Sequence, residues 1–345
     1  MVVTVDTSPA PAEVHRGAGE SVGFWVTGHG VGELRTAPLR TPGPDEVRVR
    51  TWFTGVSRGT EALVARGEVP VSEHERMRAP FQEGAFPFPV KYGYLNVGVV
   101  EEGPAALRDR VVFSLAPHQS ASVLPASAVT LVPGDVPARR AVLAGAVETA
   151  ANVLWDAAPV VGDRIAIVGA GMVGGAVARL AGGIPGADVV LVDVDPARAA
   201  TAAVLGVGFA LADDAADLLA DRDVVIEASG TAAGLALALR LAATDGEVVV
   251  ASWFGSRPVP LELGADFHAR RLTLRSSQVG AVAPRRRERR THRERLALAM
   301  RLLADPAFEA LLGASSDWRE LPELVAALAA GDADPLCRTI DWSAA

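Results

Sequence analysis

From Val22 to Thr54 apolar and polar residues alternate in short runs cut by Gly and Pro, "GFWVTG", "GELRTAPL" and "DEVRVRTWF", and a second set follows at "GYLNVGVVEEG", "DRVVFSL" and "VTLVPG". Alternation lays one face of a strand on a core and the other in water, so this half predicts a mostly antiparallel, barrel-like β domain. Around Arg139 the period changes. The stretch "PARRAVLAGAVETAANVLWDAA" has helical spacing, and beyond it wholly apolar strands, "RIAIVG", "DVVLVD", "DVVIEAS", "GEVVVAS" and "LTLRSS", alternate with Ala- and Leu-rich helical segments. Such strands between helices predict a parallel sheet covered on both faces, five strands of a doubly wound α/β domain. From Pro284 an arginine-rich run leads into an amphipathic helix. It reads as a solvated helix start or linker, with a nucleic-acid patch as the competing reading.

A chain of 345 residues exceeds the usual size of one domain, so two are expected, each able to bury a core. The net charge of -8 argues against nucleic acid or an anionic membrane as the main partner. The single cysteine, Cys337, excludes an internal disulfide and any multi-cysteine zinc site, which makes the cytoplasm the expected setting. Asp6 stands where an export signal needs an apolar run, and no segment gives 18 uncharged apolar residues.

The segment "IAIVGAGMVGGAVARL" carries Gly169, Gly171 and Gly174 as GxGxxG, directly after an apolar strand and at the start of a helix whose first residues are Met172 and Val173. Gly169 allows a tight turn, Gly171 lets a pyrophosphate approach the backbone, and Gly174 lets helix and strand pack closely. The free N–H groups of the helix start favour phosphates. Asp193, at the end of the next strand, has the spacing of the acid that accepts hydrogen bonds from an adenosine ribose. Its charge would repel a 2′-phosphate, so NAD is expected over NADP, with Arg198 nearby weakening the preference. Ser229, Gly230 and Ser252 follow apolar strands, at the carboxyl edge where an open sheet binds its ligand.

The β-rich half, the dinucleotide motif and a returning tail together resemble the medium-chain dehydrogenase/reductase superfamily. "PGPDEVRVRTWFTGVSRGTE" is similar to its first-domain signature, and "VSRGTE", "KYGYLNVG" and "ETAANVLWD" resemble a branch related to bacteriochlorophyllide dehydrogenases. The resemblance implies a GroES-like catalytic domain from residues 1–147 and 283–345 and a Rossmann domain over 148–282, with homodimers formed through the latter. It also implies a hydride-transferring oxidoreductase. Zinc members hold their metal with a Cys, a His and a further Cys or acid; the matching positions here are Ser57, Tyr94 and Gly145, so no zinc is expected. His118, Glu61 and Glu148 are the other candidate ligands, and nothing in their spacing fixes a tetrahedral site. His15, His29 and His74 read as surface or packing residues.

"FPFPVKYGYLNVGVV" holds the only lysine, Lys91, and both tyrosines, Tyr92 and Tyr94. Reducing a carbonyl builds negative charge on its oxygen, and without a metal a hydrogen-bond donor must meet it. The resemblance puts Tyr94 at that spot, as acid/base, with Lys91 as the cation that tunes it or anchors substrate and Tyr92 as a wall or second donor. On a regular strand Lys91 and Tyr94 face opposite ways, so their meeting requires a turn at Gly93. The same cluster also reads as two tyrosines packing beside a sheet. Ser57 and Thr60 are candidates to bind substrate or relay a proton, and His118 is a further proton-handling candidate. Arg58 resembles a position that grips the cofactor pyrophosphate, and Glu148 and Thr149 fall at the junction where the resemblance expects the nicotinamide. The expected substrate is a secondary alcohol or ketone; reduction of an activated C=C or C=N bond, or nucleotide binding without catalysis, are the alternatives.

Overall fold

The computed structural model describes residues 19–332, 334 and 336–345. The readings of Asp6 and His15 lie outside these residues.

The alternating runs form strands as the pattern requires. Glu46–Val56 is the spine of a seven-stranded sheet, pairing antiparallel with Asn96–Glu102, Ala121–Pro125 and Cys337–Asp341, while Val111–Ser114 and Val129–Leu131 extend it. Val47, Val49, Val100, Val112 and Leu124 point to a common interior. A smaller sheet runs Val31–Pro38, Glu20–Gly28, Val90–Lys91, Glu83–Gly84. The tail contributes Leu312–Asp317 beside Cys337–Asp341, so the last strands return to the first half of the chain. One helix of this half, Arg58–Arg66, has no counterpart among the sequence readings.

The second half is a six-stranded parallel sheet in the order Gly208–Leu211, Asp188–Asp193, Arg164–Val168, Arg222–Glu227, Ala242–Val250, Thr273–Ser276. Ile165, Ile167, Leu191 and Ile226 face one core and Ala166, Val168, Val192 and Val225 the other, the period-2 split of strands buried on both sides. The strand order reverses between Arg164–Val168 and Arg222–Glu227, which makes their carboxyl ends the expected ligand crevice. The sixth strand, "GFAL" at Gly208–Leu211, is too short and too mixed to stand out by pattern.

The Arg139 stretch divides into the helices Ala138–Ala141 and Ala144–Ala157. The arginine-rich run is exposed from Arg285 to Arg290, as a solvated helix start is, and only Arg295 departs from that reading. A Thr291/Glu294 capping box starts the helix His292–Leu302, and Arg295 on its first turn is buried against Ala144–Ala157. Among the described residues no helix is long and apolar enough to cross a membrane.

Candidate functional site

Helix Arg58–Arg66 begins at Ser57, and Glu61 reaches back from its first turn so that Oε1 accepts the Ser57 N–H at 2.8 Å. A carboxylate there satisfies an otherwise orphaned donor and suits the positive end of the helix. Tyr94 stands against this turn, facing the hydroxyls of Ser57 and Thr60. Burial pushes its phenol up to about 12, those two hydroxyls oppose the shift, and the charge of Glu61 adds to it. Tyr92 is held above the ordinary tyrosine value first by burial; its ring packs between Phe86 and Tyr94, the latter edge-on at 5.9 Å. It forms a wall.

His118 lies beneath this arrangement, 2% exposed. Its Nδ1 is 2.7 Å from Thr54 Oγ1 and its Nε2 is 2.9 Å from Glu61 Oε2, while Thr54 Oγ1 also accepts the Trp342 indole N–H at 2.9 Å. The chain runs Trp342, Thr54, His118, Glu61, Ser57. Sequence reading considered Glu61 only as a metal ligand and did not single out Thr54 or Trp342. The spacing of Ser57 and Glu61 across one helical turn was the available signal.

Lys91 corrects the expectation placed on it. Gly93 does turn, at φ +116°, yet Lys91 does not meet Tyr94. Its ammonium donates to Gln119 Oε1 at 2.8 Å, pairs with Glu83 and lies 5.9 Å from the Trp25 ring. Tyr94 is accordingly shifted up, not toward neutrality. The single lysine ties the small sheet to the 118–120 segment.

In the parallel half the glycine turn has the form the motif requires. Gly169 has φ +108°, and a Cβ there would come within 2.6 Å of Ser229 N; at Gly174 a Cβ would run into the Gly169 carbonyl. Gly171 caps the helix Met172–Ala181, whose first residues Met172 and Val173 are buried and half-buried. Asp193 accepts from Ala170 N at 2.7 Å and Asp195 N at 3.0 Å, so it braces the turn it ends beside. Arg198 is paired with Asp195 at 2.9 Å. Glu227, fully buried and absent from the sequence readings, accepts from Ser229 N, Ser229 Oγ and Gly230 N at 2.7, 2.6 and 2.9 Å. Ser252 Oγ accepts from Gly230 N at 2.9 Å. A lone acid ending the apolar strand "DVVIE" was its signal. The residues present therefore fit a dinucleotide: free helix-start donors, an open glycine cradle that a side chain would fill, and an acid at the rim.

The two halves meet beside this edge, where Ser256 N donates to Glu68 O at 2.9 Å. Arg58 is exposed at the start of its helix, with no ion pair or side-chain hydrogen bond among the described residues. Thr149 and Glu148 are otherwise engaged at the junction: Thr149 Oγ1 donates to Gly145 O at 2.8 Å, and Glu148 accepts from Arg295 Nε at 3.0 Å. Burial raises the Glu148 carboxyl above its usual range although Arg295 opposes this. His29 is exposed, and His74 packs by Phe86.

The donor set differs from the one the resemblance gives for zinc members. Of the three positions matching metal ligands, Ser57 offers a neutral hydroxyl, Tyr94 a phenol that holds its proton, and Gly145 nothing, its Cα facing Leu95 so closely that a Cβ would stand 2.5 Å from Cδ2. His118 and Glu61 are bonded to each other and Glu148 to Arg295. No cluster of three His, Cys, Asp or Glu able to hold a metal occurs among the described residues.

Residues 169–303 match the family model described as zinc-binding dehydrogenase. No curated protein matches the chain. Solved structures match it nearly end to end. They include a proposed zinc-binding dehydrogenase from Sinorhizobium meliloti 1021 bound to NADP, 18% identical with TM-score 0.73 over 93% of this chain and 99% of that one. A short chain alcohol dehydrogenase from E. coli CFT073 complexed with NADH is 15% identical, with TM-score 0.72 over 94% and 100%. Galactitol-1-phosphate dehydrogenase from Escherichia coli is 14% identical, with TM-score 0.73 over 93% and 99%. At these identities the likeness shows the fold: a β-rich GroES-like unit joined to a Rossmann unit.

Proposed function

We propose that the chain is a nicotinamide-dinucleotide-dependent oxidoreductase interconverting a secondary alcohol and a ketone without zinc. The dinucleotide-bound neighbours and the glycine cradle support the cofactor. Bound there, it supplies or accepts the hydride. Gly169, Gly171 and Gly174 would admit the pyrophosphate to the backbone at the start of helix Met172–Ala181, and Asp193 would take the ribose, favouring NAD over NADP.

The observation that carries the chemical reading is the Tyr94 phenol held among the Ser57 and Thr60 hydroxyls at a helix start. A phenol raised to about 12 remains protonated at neutral pH, so Tyr94 donates a hydrogen bond to an oxygen on which negative charge develops. It is a poor base. The neighbouring hydroxyls and the positive helix end support the phenolate as the proton leaves. With NADH deuterated at C4, label should appear on the carbinol carbon of the product, and Tyr94→Phe should lower turnover by about 10²–10⁴-fold. Label on an alkene or imine carbon would favour C=C or C=N reduction instead. The exposed edge strand Thr273–Ser276 is the face along which we place a second copy, because its outer backbone groups are available for pairing.

A further inference from the structure

We propose that His118 is a positioning residue of this site: hydrogen-bonded on one side to Thr54, which Trp342 holds in turn, and on the other to Glu61, it locks the Tyr94 turn against the first turn of helix Arg58–Arg66. The inference rests on the reading of Tyr94 as the donor, and His118 itself acts through its neighbours.

Two sets of contacts join in this one residue. The first runs through the ring. An indole N–H only donates, so Thr54 Oγ1 accepts from Trp342 and its own hydrogen is available to His118 Nδ1; a carboxylate only accepts, so Nε2 carries the imidazole hydrogen to Glu61. This tautomer follows from the bonding network and satisfies both ring nitrogens in a residue that water barely reaches. Glu61 is thereby turned so that its other oxygen receives Ser57 N–H, which fixes the turn bearing Ser57 and Thr60.

The second set runs through the backbone and the ring edge. His118 N donates to Tyr92 O at 3.1 Å, and Phe24 N donates to His118 O at 2.9 Å. Between the tyrosines the ring lies so close to Gly93 that a Cβ there would be 3.1 Å from Nε2 and 2.8 Å from Cδ2. The turn that presents Tyr94 therefore rests on the imidazole that orients Glu61. Rotating the ring would loosen both sides of the donor cluster at once. Trp342, three residues from Ala345, is coupled to the site by the same route.

The test uses full-length protein labelled with 3-fluorotyrosine, in which two tyrosines give two ¹⁹F resonances, assigned by Tyr92→Phe. Thr54→Val and Glu61→Gln should each displace or broaden the Tyr94 resonance, and Thr54→Ser, which keeps the hydroxyl, should leave it in place. NADH affinity should stay within about twofold in all three, since the glycine cradle is untouched. In ¹⁵N-histidine-labelled wild type, His118 should carry its hydrogen on Nε2. An unmoved Tyr94 resonance in folded Thr54→Val or Glu61→Gln overturns the proposal, as does hydrogen on Nδ1 alone, which needs no variant. Failure of wild type to bind NADH would remove the oxidoreductase reading and leave these spectra to decide the positioning role.

Discussion

The imidazole of His118 fills the space in which a side chain at Gly93 would stand, its Cδ2 lying 2.8 Å from the position of a Cβ there. That contact explains the glycine between the two tyrosines better than a need for Lys91 to reach Tyr94. Its φ of +116° adds a second reason, because residues with a Cβ rarely adopt it. Gly93→Ala should therefore lose about 1–3 kcal/mol of stability from backbone strain alone, measured by urea unfolding. It should also displace Tyr94 and reduce turnover more than NADH affinity.

Arg295 offers a separate test of how helix His292–Leu302 is held against Ala144–Ala157. It is almost wholly buried, with Nε on Glu148 and further bonds to Asn152 and the carbonyls of Val279 and Ala281. Removing it leaves Glu148 charged and unpaired in the interior, so Arg295→Ala should destabilise by about 3–5 kcal/mol. The double variant Arg295→Met with Glu148→Gln should recover part of that loss in the same unfolding measurement.

Burial holds the Tyr94 phenol and the Cys337 thiol both up to about 12, above ordinary values of 10.0 and 9.0. The folded chain keeps these protons to higher pH than the unfolded chain, so their contribution is complete below about pH 9 and is lost as pH rises toward about 12. At about 1.4 kcal/mol per pH unit, Tyr94 accounts for about 2–3 kcal/mol of this fall. Unfolding free energies across this window should decline less steeply in Tyr94→Phe than in wild type. Cys337 should also resist thiol reagents until the protein unfolds.

Cofactor choice is predicted to rest on Asp193. With the carboxylate present NADH should bind at least about tenfold tighter than NADPH, a difference of about 1.4 kcal/mol. Asp193→Asn should narrow that ratio. It should also weaken both ligands somewhat, because Asp193 braces Ala170 in the turn.

The legible parts of the molecule were those carried by short-range pattern. Alternating runs gave six of the first-half strands but not Ala121–Pro125 or the two-residue strands Glu83–Gly84 and Val90–Lys91, continuous apolar runs gave five of the six parallel strands, and the glycine spacing located the cradle. The site was harder to read because its contacts join residues far apart in sequence: His118 to Glu61 is 57 positions, and Trp342 to Thr54 is 288. Proximity along the chain was correspondingly misleading. Lys91 and Tyr94 are three residues apart, yet the Gly93 turn sends them to different neighbours, and the long-range partner Gln119 decides where the lysine goes. Arg295 shows the same limit. Its sequence surroundings are those of a solvated run, and only the return of its helix onto Ala144–Ala157 buries it.

Whether a dinucleotide sits on the glycine turn is decided by NADH titration of the purified protein, followed by nicotinamide fluorescence. Saturable binding in wild type that falls at least about tenfold in Gly174→Ala, where a methyl would strike the Gly169 carbonyl, is the expected result. No binding in wild type, or equal binding in the variant, would contradict it.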